Sequence, residues 1–111
     1  MKAVFDTNIL IDYLNGNKAA ADEFGLYDEK LISIITFIEV MVGVTEPDEE
    51  IVIRGFLESF TVIDLSAVVA EESIRLRKEY RLKVPDAVVY ATAKVEGCLM
   101  VSRNTKDLKA E

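Results

Sequence analysis

The sequence predicts an α/β fold, a three-layer α/β/α sandwich around a mainly parallel four-stranded sheet. Short apolar runs alternate with segments of helical spacing, and successive runs lie too far apart for a tight hairpin, so helical crossovers must connect them. The runs are continuously apolar, which is typical of strands covered on both faces. The length of 111 residues indicates a single domain, residues 1–111.

The first segments predict a strand followed by two short helices. Residues 2–6 (KAVFD) form an apolar, strand-like run that ends at an aspartate. Residues 8–16 (NILIDYLNG) predict a helix with Asn8 as its N-cap and a glycine as its stop. Residues 17–25 (NKAAADEFG) predict a second helix, again closed by glycine.

The central segments predict a strand, two helices and a further strand. Residues 31–35 (LISII) are β-branched and uncharged, as in a buried strand. Residues 36–43 (TFIEVMVG) predict a helix that ends in glycine. Residues 47–60 begin with proline and three acids, which favour a helix N-terminus. Residues 61–65 (TVIDL) predict the third strand.

The last segments predict two longer helices and a fourth strand. Residues 66–80 place apolar residues at helical spacing, with Ser66 as the N-cap. Residues 84–97 predict an alanine-rich helix with proline in its first turn and glycine past its end. Residues 98–102 (CLMVS) predict the strand, and residues 104–111 a turn or helix.

The composition limits the chemistry that the protein can carry out. The chain has no histidine and a single cysteine, Cys98. These counts exclude an imidazole base, a histidine-dependent triad and zinc sites built on histidine or several thiolates. No apolar run is long enough to cross a bilayer and no signal-peptide pattern is present, so we expect a cytoplasmic protein that does not bind a membrane.

The net charge of −7 is unevenly distributed. Residues 1–74 hold four basic and fifteen acidic side chains, whereas residues 75–111 hold nine basic and five acidic ones. The basic excess indicates either a solvated surface or a strip that binds anions or a partner. This basic strip consists of Arg75, Arg77, Lys78, Arg81 and Lys83.

Four carboxylates follow predicted strands, at the edge where open α/β sheets bind ligands. They are Asp6, Glu39, Asp86 and Asp107. Glu39 could instead complete a T-x-x-E capping box with Thr36, and Asp86 could complement a helix dipole. Asp107 could be a surface residue of a polar tail. Asp6, at the end of a central strand, needs a partner because burying a lone charge is costly.

Carboxylates that converge at one edge repel each other unless a cation lies among them. A hard divalent ion, Mg²⁺ or Mn²⁺, prefers such oxygen ligands. A site of this kind without histidine suits phosphoryl chemistry, because the ion activates a bound water and neutralises charge on the phosphate. We expect Asp12, Asp64 and residues 48–50 to be surface acids.

The four segments that carry these acids resemble, in chain order, the PIN domain family and in particular its small VapC-type toxins. The segments are VFDTNILIDYL, ISIITFIEVMVG, VPDAVVYATAKVEG and LMVSRNTKDL. The order of four segments is more specific than any one of them, and the resemblance spans almost the whole chain. It implies a PIN-like fold and a metal-dependent ribonuclease that hydrolyses RNA phosphodiester bonds.

The resemblance also implies roles for the acids. Asp6, Glu39 and Asp86 match the three principal acids of the family. Asp107 is our choice for the fourth, with Asn104 close to an alternative position. Asp6, Asp86 and Asp107 would bind one or two Mg²⁺ (or Mn²⁺) ions, while Glu39 would act through a water or as the base.

Polar and basic side chains complete the predicted site. Water or phosphate oxygens would be positioned by Thr7, Asn8, Ser102 and Asn104. The RNA backbone would be contacted by Arg75, Arg77, Lys78, Arg81, Lys83 and Arg103, with Lys106 and Lys109 nearby, and binding would therefore depend on salt. The resemblance further implies a cognate antitoxin protein that covers the acidic cleft, and a homodimer.

The sequence leaves three alternatives. A PIN endonuclease of RNA processing would share the fold and the site without being a toxin. A catalytically silent PIN-like binding module would use the acids only to cap helices. A phosphotransfer domain with Asp6 as nucleophile is disfavoured, because no acid stands two residues later and no lysine follows a suitable strand.

Overall fold

The computed structural model describes residues 1–103. The strands are β1 (Lys2–Phe5), β2 (Glu29–Ser33), β3 (Thr61–Ile63) and β4 (Leu99–Val101). The helices are α1 (Thr7–Leu14), α2 (Lys18–Phe24), α3 (Ile34–Val42), α4 (Pro47–Glu58), α5 (Ala67–Tyr80) and α6 (Val84–Glu96). The predicted order of strands and helices is confirmed over this range. None of these helices combines the length and the apolar character that crossing a bilayer requires.

The four strands form one sheet in the order β3-β2-β1-β4, and every pair is parallel. In the centre, Val4 of β1 pairs with Leu31 of β2 on one side and with Met100 of β4 on the other. The chain crosses from β1 through β2 to β3 in one direction and then returns to β4 beyond β1. The direction therefore reverses beside β1, and open α/β sheets bind ligands at the carboxyl ends of strands at such a point.

Alternate strand residues point into two separate cores. Ala3 and Phe5 pack with helices α1 to α4 on one face of the sheet, and Val4 packs with α5 and α6 on the other. The buried ring of Phe5 meets the rings of Phe24 and Tyr27 edge to face, with centroids 4.9 and 5.6 Å away. Burying such a ring stabilises the fold by about 2–3 kcal/mol. Both faces of the sheet are covered, which confirms the three-layer sandwich.

The largest boundary difference concerns β2 and α3. Ile34 and Ile35, predicted as strand, form the first turn of α3. The ladder between β2 and β3 stops at the pair Ser33 and Ile63, and the Ser33 hydroxyl accepts a hydrogen bond from Ile35 N–H as the N-cap. Thr36 is therefore the third residue inside the helix, and the predicted capping box that starts at Thr36 is wrong.

The helix α1 begins directly where β1 ends. Asp6 is its N-cap and accepts a hydrogen bond from Thr7 N–H, while Asp6 N–H donates to the carbonyl of Val101 in β4 at 2.8 Å. The prediction of Asn8 as N-cap is wrong, because a carboxylate two residues earlier already caps the helix. The predicted N-cap of α5, Ser66, is confirmed.

Candidate active site at the carboxyl edge of the sheet

Asp6 is the acid at the end of the central strand, and its environment favours the protonated form. Its Oδ1 accepts a hydrogen bond from Thr7 N–H at 2.7 Å. Burial raises the pKa of Asp6 from 3.8 to about 6, and the charges of Asp86 and Glu39 add to the rise. The hydrogen bond from Thr7 and the charge of Arg103 oppose it. A cation beside this carboxylate would favour the ionised form.

Glu39 and Asp86 reach the same edge from two other elements. Glu39 lies on α3, and Asp86 lies in the first turn of α6, with both residues exposed to solvent. Their negative charges both raise the pKa of Asp6. The structure thus places Glu39 and Asp86, which come from two different helices, within electrostatic reach of Asp6.

Thr7 is bonded to two of these carboxylates. Its N–H donates to Asp6, and its hydroxyl donates to Glu39 Oε1 at 2.7 Å. The same hydroxyl oxygen lies 3.1 Å from Oγ1 of Thr36, which is fully buried. Glu39 therefore bonds across the interface between α3 and α1 and does not reach back to the start of its own helix. The capping-box alternative for Glu39 is wrong for this reason.

Thr36 is a polar member of this edge, whereas the sequence pattern indicated only a helix cap at this position. Its hydroxyl contacts Thr7, and Thr7 contacts Glu39. Residues three apart in a helix share a face, so the spacing of Thr36 and Glu39 already indicates that both face α1. The sequence could therefore have indicated that Thr36 and Glu39 lie on the same helix face. This inference requires the helix to begin before Thr36, as it does in the structure.

Asn8 and Arg103 contact each other at the end of β4. Asn8 Oδ1 accepts a hydrogen bond from Arg103 N–H at 3.0 Å. The guanidinium of Arg103 binds both carboxylate oxygens of Asp12, at 2.9 and 2.7 Å, and this bond lowers the pKa of Asp12. Asp12 was expected to be a surface acid. Its ion pair with Arg103 instead connects α1 to the residues that follow β4. Ser102, the residue between β4 and Arg103, is buried.

The basic strip leads towards Asp86. Arg75 forms ion pairs with Glu72 and Glu79, one turn away on either side of it in α5. The exposed members Arg77, Lys78, Arg81 and Lys83 continue along the end of α5 and into the start of α6. Asp86 follows within the first turn of α6, so the strip directly precedes this acid along the chain.

Two predicted site residues, Asn104 and Asp107, lie outside the described residues, as do Lys106 and Lys109. The last described residue, Arg103, directly follows Ser102 beyond the carboxyl end of β4. Val101, at the end of β4, accepts a hydrogen bond from Asp6 N–H, so the last described residues lie at the same edge as Asp6.

Comparison with protein families gives one match that spans almost the whole chain. The family described as "PIN domain" matches residues 3–110. The chain belongs to the PIN domain family. PIN domains are generally nucleases, so the family supports a hydrolase that acts on nucleic acid. Among curated protein sequences, no significant match is found.

Solved structures also match this PIN domain. One chain, from the "Toxin-antitoxin complex from Klebsiella pneumoniae", is 43% identical, with a TM-score of 0.88 over 95% of this chain and 88% of that one. A chain of VapBC2 from Rickettsia felis, bound to promoter DNA, is 22% identical, with a TM-score of 0.80 over 96% and 90% of the two chains. A chain of VapBC from Salmonella typhimurium, bound to DNA, is 23% identical, with a TM-score of 0.79 over 96% of this chain and 89% of that one. The predicted PIN-like fold is confirmed.

PIN nucleases generally use divalent metal ions, and the donors at the acidic edge match such an ion in type. Within residues 1–103, no group of three acidic, histidine or cysteine side chains is close enough to form a complete metal site. Mg²⁺ usually binds proteins through one or two carboxylates and keeps several waters, so Asp6 together with Asp86 would suffice. The ion fits because its charge would offset the repulsion around Asp6.

Proposed function

We propose that the protein is a Mg²⁺- or Mn²⁺-dependent endoribonuclease and the toxin of a VapBC-type toxin–antitoxin pair. The observation that carries the proposal is the raised pKa of Asp6, because burial and the charges of both Asp86 and Glu39 contribute to it. A buried aspartate whose pKa is raised by the charges of two acids from other elements is a suitable ligand for a hard cation. The identity of 43% to a chain of a toxin–antitoxin complex supports the biological role.

In the proposed reaction, a water oxygen forms a bond to the phosphorus of RNA while the bond from phosphorus to one ribose oxygen breaks. Asp6 and Asp86, with Asp107, are the residues that would hold the metal. The ion, when bound, supplies a water of lowered pKa and neutralises charge on the phosphate. Glu39 would accept the proton of the attacking water, or would hold that water as an outer ligand of the ion.

Polar neighbours would orient the participants. Thr7 holds Glu39 through its hydroxyl. The Asn8 side-chain oxygen accepts from Arg103 N–H, so its amide N–H groups are the donors available to a phosphate oxygen or a water. We assign the same orienting role to Ser102, and to Asn104 beyond the described residues.

The RNA backbone would follow the basic strip towards Asp86. The exposed side chains Arg77, Lys78, Arg81 and Lys83 are the phosphate contacts that we favour. Arg75 and Arg103 are also candidates, but the guanidinium of each already binds carboxylates. A phosphate would have to displace these carboxylates or bind the guanidinium together with them. Contacts of this kind release counterions and weaken with salt.

A cognate antitoxin would need an apolar surface to bind, and the α3–α4 side of the protein has one. Ile38 and Val42 of α3 are 50% and 77% exposed, and Ile51 and Val52 of α4 are 76% and 71% exposed. Exposed apolar side chains mark interaction surfaces where they are contiguous, and we propose that these four form such a surface. We also propose a homodimer and a cytoplasmic location, in keeping with a toxin that acts on cellular RNA.

The test of the nuclease is RNA cleavage with and without Mn²⁺ by the wild type, Asp6→Asn and Asp86→Asn. Asp22→Asn, which changes an exposed acid on α2, is the matched control. We expect metal-dependent cleavage by the wild type and the control, and a loss of at least about a hundredfold in the two site variants. Equal cleavage by all four proteins would indicate a contaminating nuclease and would remove the catalytic proposal.

The toxin role has a separate test, because a PIN endonuclease of RNA processing would pass the previous one. We expect expression of the wild type to arrest growth, and co-expression of the product of the adjacent gene to relieve the arrest. Growth that continues in the presence of active enzyme would favour the RNA-processing alternative.

A further inference from the structure

A series of two hydroxyl groups links the interior of α3 to Glu39. Thr36 is fully buried, and its Oγ1 lies 3.1 Å from Oγ1 of Thr7. The Thr7 oxygen in turn lies 2.7 Å from Glu39 Oε1. A buried hydroxyl without a hydrogen bond is costly, and within residues 1–103 no buried side-chain polar atom lacks a partner. The contact between the two threonines is therefore a hydrogen bond that the fold retains.

The number of protons sets the direction of this series. Each threonine hydroxyl has one proton, and an ionised carboxylate can only accept. When Thr7 donates its proton to ionised Glu39, its oxygen can only accept from Thr36. Thr36 must then be the donor to Thr7, and hydrogen bonds in such a series strengthen one another. Thr36 thus directs the Thr7 proton towards the carboxylate.

Glu39 is exposed on α3, so burial alone does not fix the orientation of its side chain. An exposed glutamate loses substantial rotamer freedom when it is held in one orientation, so a fixed orientation requires a specific bond. We propose that Thr36 is a positioning residue that acts through Thr7 to hold Glu39 at the acidic edge. The effect on catalysis rests on the proposed function, whereas the effect on the orientation of Glu39 does not.

The first test measures the orientation without metal or RNA. The ¹³C resonance of the Glu39 carboxyl group is compared among the wild type, Thr36→Val, Thr36→Ser and Thr92→Val. Thr92 is the matched control, since it is also buried and its hydroxyl bonds only within α6, to the Val88 carbonyl at 2.8 Å. We expect Thr36→Val to shift the resonance, and the other two variants to leave it in place. A Glu39 resonance that is the same in all four proteins would overturn the proposal.

The second test measures cleavage of RNA by the same four proteins. We expect Thr36→Val to lower kcat about tenfold, the effect of one hydrogen bond to a charged group, with little change in KM. Thr36→Ser should retain most of kcat, and Thr92→Val all of it. If the wild type cleaves RNA and both valine variants cleave equally well, the positioning role is wrong and the nuclease stands. If the wild type does not cleave while Thr36→Val shifts the Glu39 resonance, the nuclease is wrong and the positioning role stands.

Discussion

At the scale of single residues, the raised pKa of Asp6 predicts how replacing it changes the stability of the fold. Its pKa is about 6 in the folded protein against 3.8 as the unperturbed value, so the folded state binds the proton more tightly. Asp6 therefore stabilises the fold below 3.8, and this contribution is lost as the pH rises through 6. Asparagine keeps an acceptor for Thr7 N–H without the charge. In metal-free urea denaturation at neutral pH, Asp6→Asn should raise the free energy of unfolding by about 2–3 kcal/mol.

The pH dependence of this difference provides its control. Below the unperturbed pKa of 3.8, both forms of residue 6 are neutral, and the two proteins should have the same stability. Asp12→Asn should have the opposite sign, because the hydrogen bond from Arg103 lowers the pKa of Asp12. Ionised Asp12 stabilises the fold at neutral pH, and this contribution is lost in acid. An Asp6→Asn variant less stable than the wild type at neutral pH would contradict the assigned environment.

At the scale of single elements, two glycines should respond in opposite ways to alanine. Gly97 ends α6 with a φ of +67°, a conformation that costs an L-residue about 1–2 kcal/mol. Gly55 lies inside α4, where an added Cβ meets nothing within 4 Å, and alanine there stabilises a helix by about 0.5–1 kcal/mol. Thermal unfolding should show a lower Tm for Gly97→Ala and a higher one for Gly55→Ala. Shifts of the same sign in both variants would contradict these assignments.

The elements were predictable from the sequence wherever the signal was local. Glycine and proline at the ends of segments, together with helical or continuous apolar spacing, gave the order of strands and helices. The start of α3 was not predictable, because Ser33 and Thr36 are both good N-caps. The choice between them depends on where the ladder to β3 stops, at Ile63, and that is a property of the assembled sheet.

The candidate site was predictable to the extent that topology dictates it. The carboxyl ends of parallel strands meet at one edge, so acids after the strands were expected to lie there. The partners of those residues were not predictable, since Thr7 and Glu39 are 32 residues apart, and Arg103 and Asp12 are 91 apart. A pattern along the chain carries no information on which polar side chains meet at that distance.

At the scale of the whole molecule, the distribution of charge determines how an acidic protein could bind RNA. The net charge is −7, while residues 75–111 carry a basic excess. If phosphates follow the basic strip, replacing Arg77 and Lys78 together by glutamine should weaken RNA binding and reduce its salt dependence. Lys18→Gln on α2 is the control and should change neither. An affinity measured by fluorescence anisotropy that does not change between low and moderate salt would argue against the strip.

At this scale, the proposed metal site requires Asp6, which follows β1, and Asp86 of α6 to act together on one cation. Calorimetric titration of Mn²⁺ at neutral pH tests this most directly, on the wild type, Asp6→Asn, Asp86→Asn and the control Asp22→Asn. We expect saturable binding by the wild type and the control, binding at least about tenfold weaker in the two site variants, and weaker wild-type binding below pH 6, where a proton competes for Asp6. The same Mn²⁺ affinity in all four proteins, or no binding by the wild type, would contradict the account.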